Sequence, residues 1–433
     1  MYAMVHYNEI SPEGVEDLHS EEYEFKEDII TKVKGVFRSF GCRQIVTPSL
    51  EYYDLYNGIE GVLPKENMFK LIDNNGRILV LRPDATIPVA RMTASNYKNN
   101  NEIMKFSYVS NIFRTNKSRK GDKREFIQGG IEYFGNTKPD CDAEVIAIGI
   151  KCLLECGFKD FHIDLGQVEF LNGLINEASL NKFEKLQIHK LIENKNYGDL
   201  KQFLEGTNME SSLKERFYRI PKLYGRPEKV LVRARDLVIN ERMERALKNL
   251  EDIYSILRDY GFDKYIIFDL GFTKEEGYYT DIIFKGYVCN FGEVVLSGGR
   301  YDNLTKHFGV KKAACGFGLN INKLIEVMKM YDIKREKNCF TDYLVLYREE
   351  LRSSAIKLSQ SLRERGFIVE SDSYEDNIKF HIKNSTFRNT REIIEVEENF
   401  LKIIDICKNQ IKKYSINQFY KILDCNETIA SIH

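Results

Sequence analysis

An α+β fold is predicted for this 433-residue chain by three features of its pattern. Strand-like runs meet as hairpins, above all across 106–134, instead of alternating one by one with helices. Helical periodicity is gathered into blocks, most plainly over 170–260, where Lys, Glu, Asn and Leu dominate. A separate strand–helix–strand signal returns after residue 341. Hairpins with helices placed around them argue for a largely antiparallel sheet and against a doubly wound parallel one.

The elements follow in order. Over 21–40, Ile29, Ile30, Val33, Val36, Phe37 and Phe40 form one apolar stripe, with Gly41 at the cap position, so an amphipathic helix is expected. Strands are expected over 43–48, 68–72 and 78–81, then as a hairpin over 106–134. A helix over 142–156 ends at Gly157, and 161–165 alternate as a strand. After the helical block, β patterns return at 264–270 and 278–297, and a helix is expected to begin near Gly316. A charged stretch at 334–338 reads as a linker. Beyond it, 343–347, 354–365 and 367–371 read as strand, helix and strand. The expected domains are a core in two parts, 1–170 and 261–333, a helical insertion over 171–260, and a small α/β domain over 341–433.

Composition narrows the function classes. Apolar residues make up 43% and charged residues 30%, as in soluble proteins with a sizeable core. A net charge of −1 lacks the basic balance of a nucleic-acid binder. No run of about 18 apolar residues predicts a membrane span, and the N-terminus carries no signal pattern, so a cytoplasmic location is expected. The nine cysteines are scattered. Cys152 and Cys156, four apart on a helical segment without a neighbouring His, read as buried small residues and not as a metal site. Hydrolase, P-loop and dinucleotide motifs are missing, and neither metal nor cofactor is expected.

The most informative stretch is 113–132, FRTNKSRKGDKREFIQGGIE, a strand, a basic loop containing Lys117, Arg119 and Lys120, and a returning strand. Such a hairpin can bring Arg114 and Arg124 together on a phosphate or carboxylate, because guanidinium presents two parallel donors.

This stretch resembles motif 2 of class II aminoacyl-tRNA synthetases, the histidyl enzyme in particular, and other segments match that family in order. IVTPSLE at 45–51 is similar to motif 1, whose proline lies at the family's subunit interface; here it is Pro48. LRPDATIPVAR at 81–91 resembles the LRPEGT segment that binds the amino acid. YYT at 278–280 and GGRYD at 298–302 resemble the histidine-specific motif, and GFGLNINKL at 316–324 stands in the place of motif 3. The resemblance implies a class II synthetase-like antiparallel sheet flanked by helices. It also implies a histidine pocket built from Asp84, Thr86, Arg114, Gln128, Glu132, Tyr278 and Tyr279. An amino acid needs a carboxylate for its ammonium and donors for its carboxylate, and an imidazole needs a polar partner. The alternative is that these side chains only satisfy one another within the sheet.

Departures from the synthetase pattern fall on its chemistry. Lys274, beside Glu275 and Glu276, stands where the synthetase has an arginine near the attacking carboxylate. Lys323, beside Asn322, stands for the motif 3 arginine, and Asn116, Lys117 and Ser118 replace a Glu-Arg-Pro run, while Arg114 and Arg300 remain. Lysine cannot reproduce the two-pronged contact of arginine, and adenylyl transfer depends on placed positive charge. No catalytic residue is therefore expected. The last domain stands where the synthetase binds the anticodon, yet it mixes acids such as Glu349, Glu364, Glu370 and Asp372 with bases. It reads as a relic or a partner surface and not as an RNA reader.

A synthetase-like core without its catalytic arginines resembles the family of ATP phosphoribosyltransferase regulatory subunits. That resemblance implies a non-catalytic partner of a short-form catalytic subunit, self-association through the core, and histidine as feedback effector in the first step of histidine synthesis. A divergent active histidyl-tRNA synthetase, or an amino-acid-sensing module of another enzyme, are the other readings.

Overall fold

The computed structural model describes residues 11–59, 64–98, 102–115, 123–272, 278–331, 333, 340–374, 378–387, 389–406, 408 and 410–430. It divides into two compact units, Met1–Ile333 and Lys334–His433. The expected linker at 334–338, the loop residues Asn116 to Lys120, and Lys274, Glu275 and Glu276 lie outside the described residues.

The first unit opens with α1 (Ser20–Ser39), whose buried stripe is Ile29, Ile30, Val33, Val36 and Phe37. Gly41 follows in the left-handed region at φ 75°, which ends the helix. Short strands β1 (Arg43–Gln44), β2 (Leu50–Tyr52), β3 (Lys70–Ile72) and β4 (Ile78–Leu81) precede α2 (Thr86–Asn96). The long hairpin is β5 (Met104–Phe113) with β6 (Glu125–Phe134), and α3 (Pro139–Glu155) and β7 (Phe161–Gln167) follow. The helical block contains α4 (Val168–Glu177), α5 (Lys182–Glu193), α6 (Tyr197–Glu205), α7 (Ser211–Arg219), β8 (Tyr224–Gly225), α8 (Pro227–Arg235) and α9 (Glu241–Asp259). The unit closes with β9 (Ile266–Asp269), β10 (Ile282–Val288), β11 (Val294–Arg300), β12 (Ala314–Asn320) and α10 (Ile321–Met330).

Nine strands form one sheet in the order β1-β5-β6-β12-β11-β10-β7-β9-β8. Every neighbouring pair is antiparallel except β1–β5 and β7–β9. The α+β class expected from hairpin pairing therefore holds. On one face α1, α3 and α10 bury the main core, where Phe37 meets Phe317 edge to face at 6.1 Å. The opposite face carries a second core with Ile87, Val89, Tyr108 and Tyr301, in which α2 participates. Close approach of α4 to α9 depends on Gly173, where an added Cβ would stand 2.6 Å from Met243 Cγ.

Two expectations need correction. The strand predicted over 43–48 pairs only at Arg43 and Gln44. Beyond it, Arg82 Nη1 donates to the carbonyls of Thr47 at 2.7 Å and Pro48 at 3.2 Å, which removes them from any ladder. The helix expected near Gly316 starts instead at Ile321. Gly316 is a strand residue opposite Glu132, and the Asn320 side chain caps the helix by accepting from Lys323 N–H at 3.0 Å. Glycine at 316 and 318 disfavours helix and suits the close packing described below.

In the second unit, β13 (Thr341–Tyr347) lies between β14 (Val369–Ser373) and β15 (Thr390–Val396), parallel to both. Strands β16 (Leu401–Asp405) and β17 (Gln410–Tyr414) extend this sheet antiparallel. Helices α11 (Arg352–Glu364) and α13 (Ile416–Ala430) supply Leu358, Leu362, Phe419 and Leu423 to one face. Ile382 of α12 (Ile378–Phe387) packs on the other with Leu344 and Leu346.

Candidate functional site

Strand alternation decides which side chains of the hairpin share a face. Gln128, Gly130 and Glu132 of β6 project together, opposite Asn320, Gly318 and Gly316 of β12 and Ser110, Tyr108 and Phe106 of β5. Over this face lies a cavity of about 300 Å³ lined by Asp84, Thr86, Arg114, Gln128, Tyr278, Tyr279 and Tyr301, among others. Glycines make room for it. A Cβ on Gly316 would stand 2.0 Å from Glu132 Oε2, one on Gly318 2.2 Å from Gln128 Nε2, and one on Gly130 2.4 Å from the Tyr108 hydroxyl. The two acceptor-bearing side chains thus lie flat across neighbouring strands, where any other residue would lift them.

Glu132 is fully buried at the base. Burial pushes its carboxyl up from the usual 4.5 to about 8. The Thr86 and Tyr301 hydroxyls pull it down, while the Asp84 charge pushes it further up. Tyr301 donates to Oε2. The Tyr108 and Thr86 hydroxyls stand close, but neither meets hydrogen-bond geometry with Oε1, which is buried without a partner among the described residues. Such a group costs free energy unless something in the cavity satisfies it.

The rim supplies opposite charges. Asp84 Oδ1 accepts from Ile87 N–H at 2.9 Å, which places its carboxylate at the start of α2. Arg114 Nε donates to Pro83 O at 2.8 Å, and its guanidinium lies 5.4 Å from the Phe126 ring centre. Burial lowers the Arg114 pKa and the Asp84 charge opposes that shift, but a guanidinium stays protonated. Tyr278 meets Tyr279 edge to face at 4.8 Å and stacks on Tyr301 at 5.7 Å. Tyr279 lies against Gly299, where a Cβ would come within 2.6 Å of its ring. The cavity therefore combines two carboxyl groups, one guanidinium and three phenols. It can hold a small ligand that carries both an amino and a carboxylate group together with a polar ring.

Of the residues expected from the sequence, Asp84, Thr86, Arg114, Gln128, Tyr278 and Tyr279 line the cavity and Glu132 lies at its base. Arg124 does not join Arg114 there. Their backbones pair, Arg114 N–H to Arg124 O at 2.9 Å, but the Arg124 guanidinium is bound to Glu13 at 2.6 Å. The side chains diverge because Gly14 packs against the Arg124 stem. Lys323 also lies apart, its ammonium 2.8 Å from Glu293, while Asn322 accepts from Ile127 N–H at 2.8 Å. Arg300 is buried in a two-pronged pair with Asp142, Nη2 donating to Oδ1 at 2.7 Å and Nε to Oδ2 at 3.2 Å. Its guanidinium is raised by Asp142 against the opposing effect of burial, and Asp142 itself is pushed up to about 6, chiefly by burial. Pro48 is exposed on the surface.

Sequence reasoning missed Tyr301 and Tyr108 as site residues. Tyr301 stood inside the quoted GGRYD run, and Tyr108 alternates with Phe106 and Ser110 on the hairpin. The signal was present, but which face met the cavity was not. Among the described residues no cluster of His, Cys, Asp and Glu could hold a metal, and no helix is long and apolar enough to cross a membrane.

Comparison with known proteins identifies the family and the fold. A family model described as histidyl-tRNA synthetase matches residues 14–324. A protein of Acetivibrio thermocellus named ATP phosphoribosyltransferase regulatory subunit is 36% identical over 419 residues, 96% of this chain and all of that protein. One of the same name from Clostridium novyi is 35% identical over 416 residues, 95% of this chain and 98% of that protein. Among solved structures, an ATP phosphoribosyltransferase regulatory subunit/histidyl-tRNA synthetase from Bacillus halodurans C superposes with a TM-score of 0.79. It is 29% identical, with 89% of this chain and 98% of that one covered. Histidyl-tRNA synthetase from Nostoc superposes at 0.82 with 19% identity, covering 96% and 99% of the two chains, a likeness of fold alone.

Proposed function

Since the chain belongs to the histidyl-tRNA synthetase family and, within it, to the ATP phosphoribosyltransferase regulatory subunits, we propose that it is a non-catalytic subunit that activates a short-form catalytic subunit and mediates histidine feedback in the first step of histidine synthesis. The observation that carries this reading is the composition of the cavity. It keeps what an amino acid ligand needs, Asp84 and Glu132 against Arg114 with tyrosines beside them. Lys323, the counterpart of a phosphate-clamping arginine, is meanwhile neutralised by Glu293. Among the described residues Arg114 is the one cation lining this cavity, and a site that binds histidine without gathering positive charge for ATP acts as a sensor and not a ligase.

Histidine regulates only through different affinities for the active and inhibited states, a coupling of about 1–3 kcal/mol. The ammonium faces the carboxyl groups, the carboxylate faces Arg114, and the imidazole lies among Tyr278, Tyr279 and Gln128. Self-association belongs to the same proposal. Val46 is 78% exposed, and Leu50, Tyr52 and Leu71 are exposed near Pro48 on the small sheet β2-β4-β3. An apolar surface of this kind marks an interface.

The test is co-purification with a short-form ATP phosphoribosyltransferase catalytic subunit, assayed with and without histidine. A complex with raised, histidine-sensitive activity is expected. Histidine-dependent ATP–pyrophosphate exchange by the chain alone would return it to the synthetases.

A further inference from the structure

Residues 211–235 hold eight Lys and Arg against two Glu, a surplus of six positive charges in a chain whose net charge is −1. Three of them, Arg226, Lys229 and Arg233, line an open groove of about 600 Å³ together with Tyr224, Glu228 and Val232, at the end of the nine-stranded sheet where β8 is the last strand. The floor is apolar and open to solvent, with Val232 67% and Tyr224 44% exposed.

Outside the groove, Arg219 pairs with Asp236 at 3.7 Å and Arg235 with Glu251 at 2.5 Å, whereas the groove's own cations are held differently. Arg233 donates to three carbonyls, of Lys222 at 3.1 Å, Tyr224 at 3.0 Å and Lys229 at 3.2 Å. Lys222 lies over the Tyr218 ring at 3.8 Å, and Arg216 donates to the carbonyl of Asp236 at 3.0 Å. Glu228 is the acid within the groove, and its carboxylate accepts from the Tyr254 hydroxyl at 2.6 Å. Arg226 and Lys229 are exposed on either side of it. A cationic rim around an exposed apolar floor complements a surface with the reverse arrangement, an apolar anchor flanked by acids.

We propose that this groove docks an acidic, amphipathic segment of the catalytic partner subunit. The inference rests on the regulatory reading above and adds where the partner is held. Two competing occupants fit less well. An added strand would need the free edge of β8, but Arg233 covers the carbonyls of Lys222 and Tyr224. Nucleic acid would need rings for stacking, but Tyr224 is the groove's aromatic residue and the Lys195 ammonium lies over it at 4.3 Å.

The experiment measures affinity of the full chain for the short-form catalytic subunit at low and at physiological salt. It compares the natural chain with Arg226→Glu/Lys229→Glu and with Val232→Asn. These positions are exposed, so the variants fold, which unchanged thermal midpoints verify. Binding is expected to weaken by about tenfold or more in the double reversal, with a shallower salt dependence than the natural chain. Val232→Asn is expected to weaken it severalfold with the salt dependence kept. Equal affinity of the natural chain and the double reversal would overturn this inference and leave the regulatory reading standing. Failure of the natural chain to bind at either salt would overturn the reading itself. A single-stranded RNA oligonucleotide that binds the natural chain and not the double reversal would reassign the groove to nucleic acid.

Discussion

Replacing Glu132 by Gln tests the cavity without moving its walls. In the folded chain the carboxyl titrates at about 8 against an ordinary 4.5, with burial as the main cause. The folded state therefore holds a proton that the unfolded chain has lost throughout this window. Stability falls as pH rises, by about 1.4 kcal/mol per unit, and the loss ends above about pH 8. Over the whole window this reaches about 5 kcal/mol, an upper value if water enters the cavity. Glutamine keeps an oxygen for the Tyr301 hydroxyl and removes the titration. Urea unfolding of both proteins at pH 6, 7 and 8 reads the difference, since Asp142 and Asp164, pushed up to about 6 mainly by burial, are common to both. The variant is expected to gain about 1.4 kcal/mol on the natural chain for each unit of rising pH. Parallel pH profiles would refute the argument, because Glu132 would then be ionised in the folded state and solvated.

The same proton is expected to govern ligand binding. With Glu132 facing the ammonium, histidine affinity measured calorimetrically is expected to fall by up to about tenfold per pH unit below 8; a flat profile would assign the ammonium to Asp84 alone. Gly318→Ala is expected to keep the fold, since its Cβ meets the movable end of Gln128, and to abolish histidine binding as seen by loss of ligand-induced thermal stabilisation. Gly298→Ala places a Cβ 2.3 Å from the Gly316 carbonyl, and a destabilisation of about 1–3 kcal/mol or more is expected in denaturant unfolding. Asp142→Ala leaves Arg300 buried without its partner, and the expected loss of about 3–5 kcal/mol is read the same way; a loss below 1 would mean that water reaches the guanidinium. Val46→Asp with Leu50→Asp is expected to shift the sedimentation coefficient to that of a monomer, and an unchanged value would remove this face as the self-association surface.

Much of the fold was legible in local pattern. The α1 stripe and its glycine stop, the β5–β6 hairpin and the helical block are properties of neighbouring residues, and periodicity reports them directly. The helix expected at Gly316 failed for the opposite reason. Two glycines in a short apolar run carry no periodicity of their own, and β12 is a strand because β6 and β11 lie on either side of it. The expected strand over 43–48 stopped early because Arg82, distant in sequence, takes its carbonyls.

The seven candidate residues came from motif resemblance, and the structure gathers them around one cavity. It also separates arginines and lysines that motif order had treated alike. Arg114 stays beside the cavity, Arg124 pairs with Glu13, Arg300 with Asp142 and Lys323 with Glu293. The sequence by itself determined the α+β class, the order of its blocks and the residue types available for an amino acid ligand, since these depend on spacing and side-chain chemistry. Tertiary structure alone decided which charges are free, because a charge is neutralised by whatever the fold brings within hydrogen-bond reach. It likewise decided that Glu132 is buried deeply enough to hold its proton, because desolvation depends on neighbours from β5, β12 and α2 that lie far away along the chain.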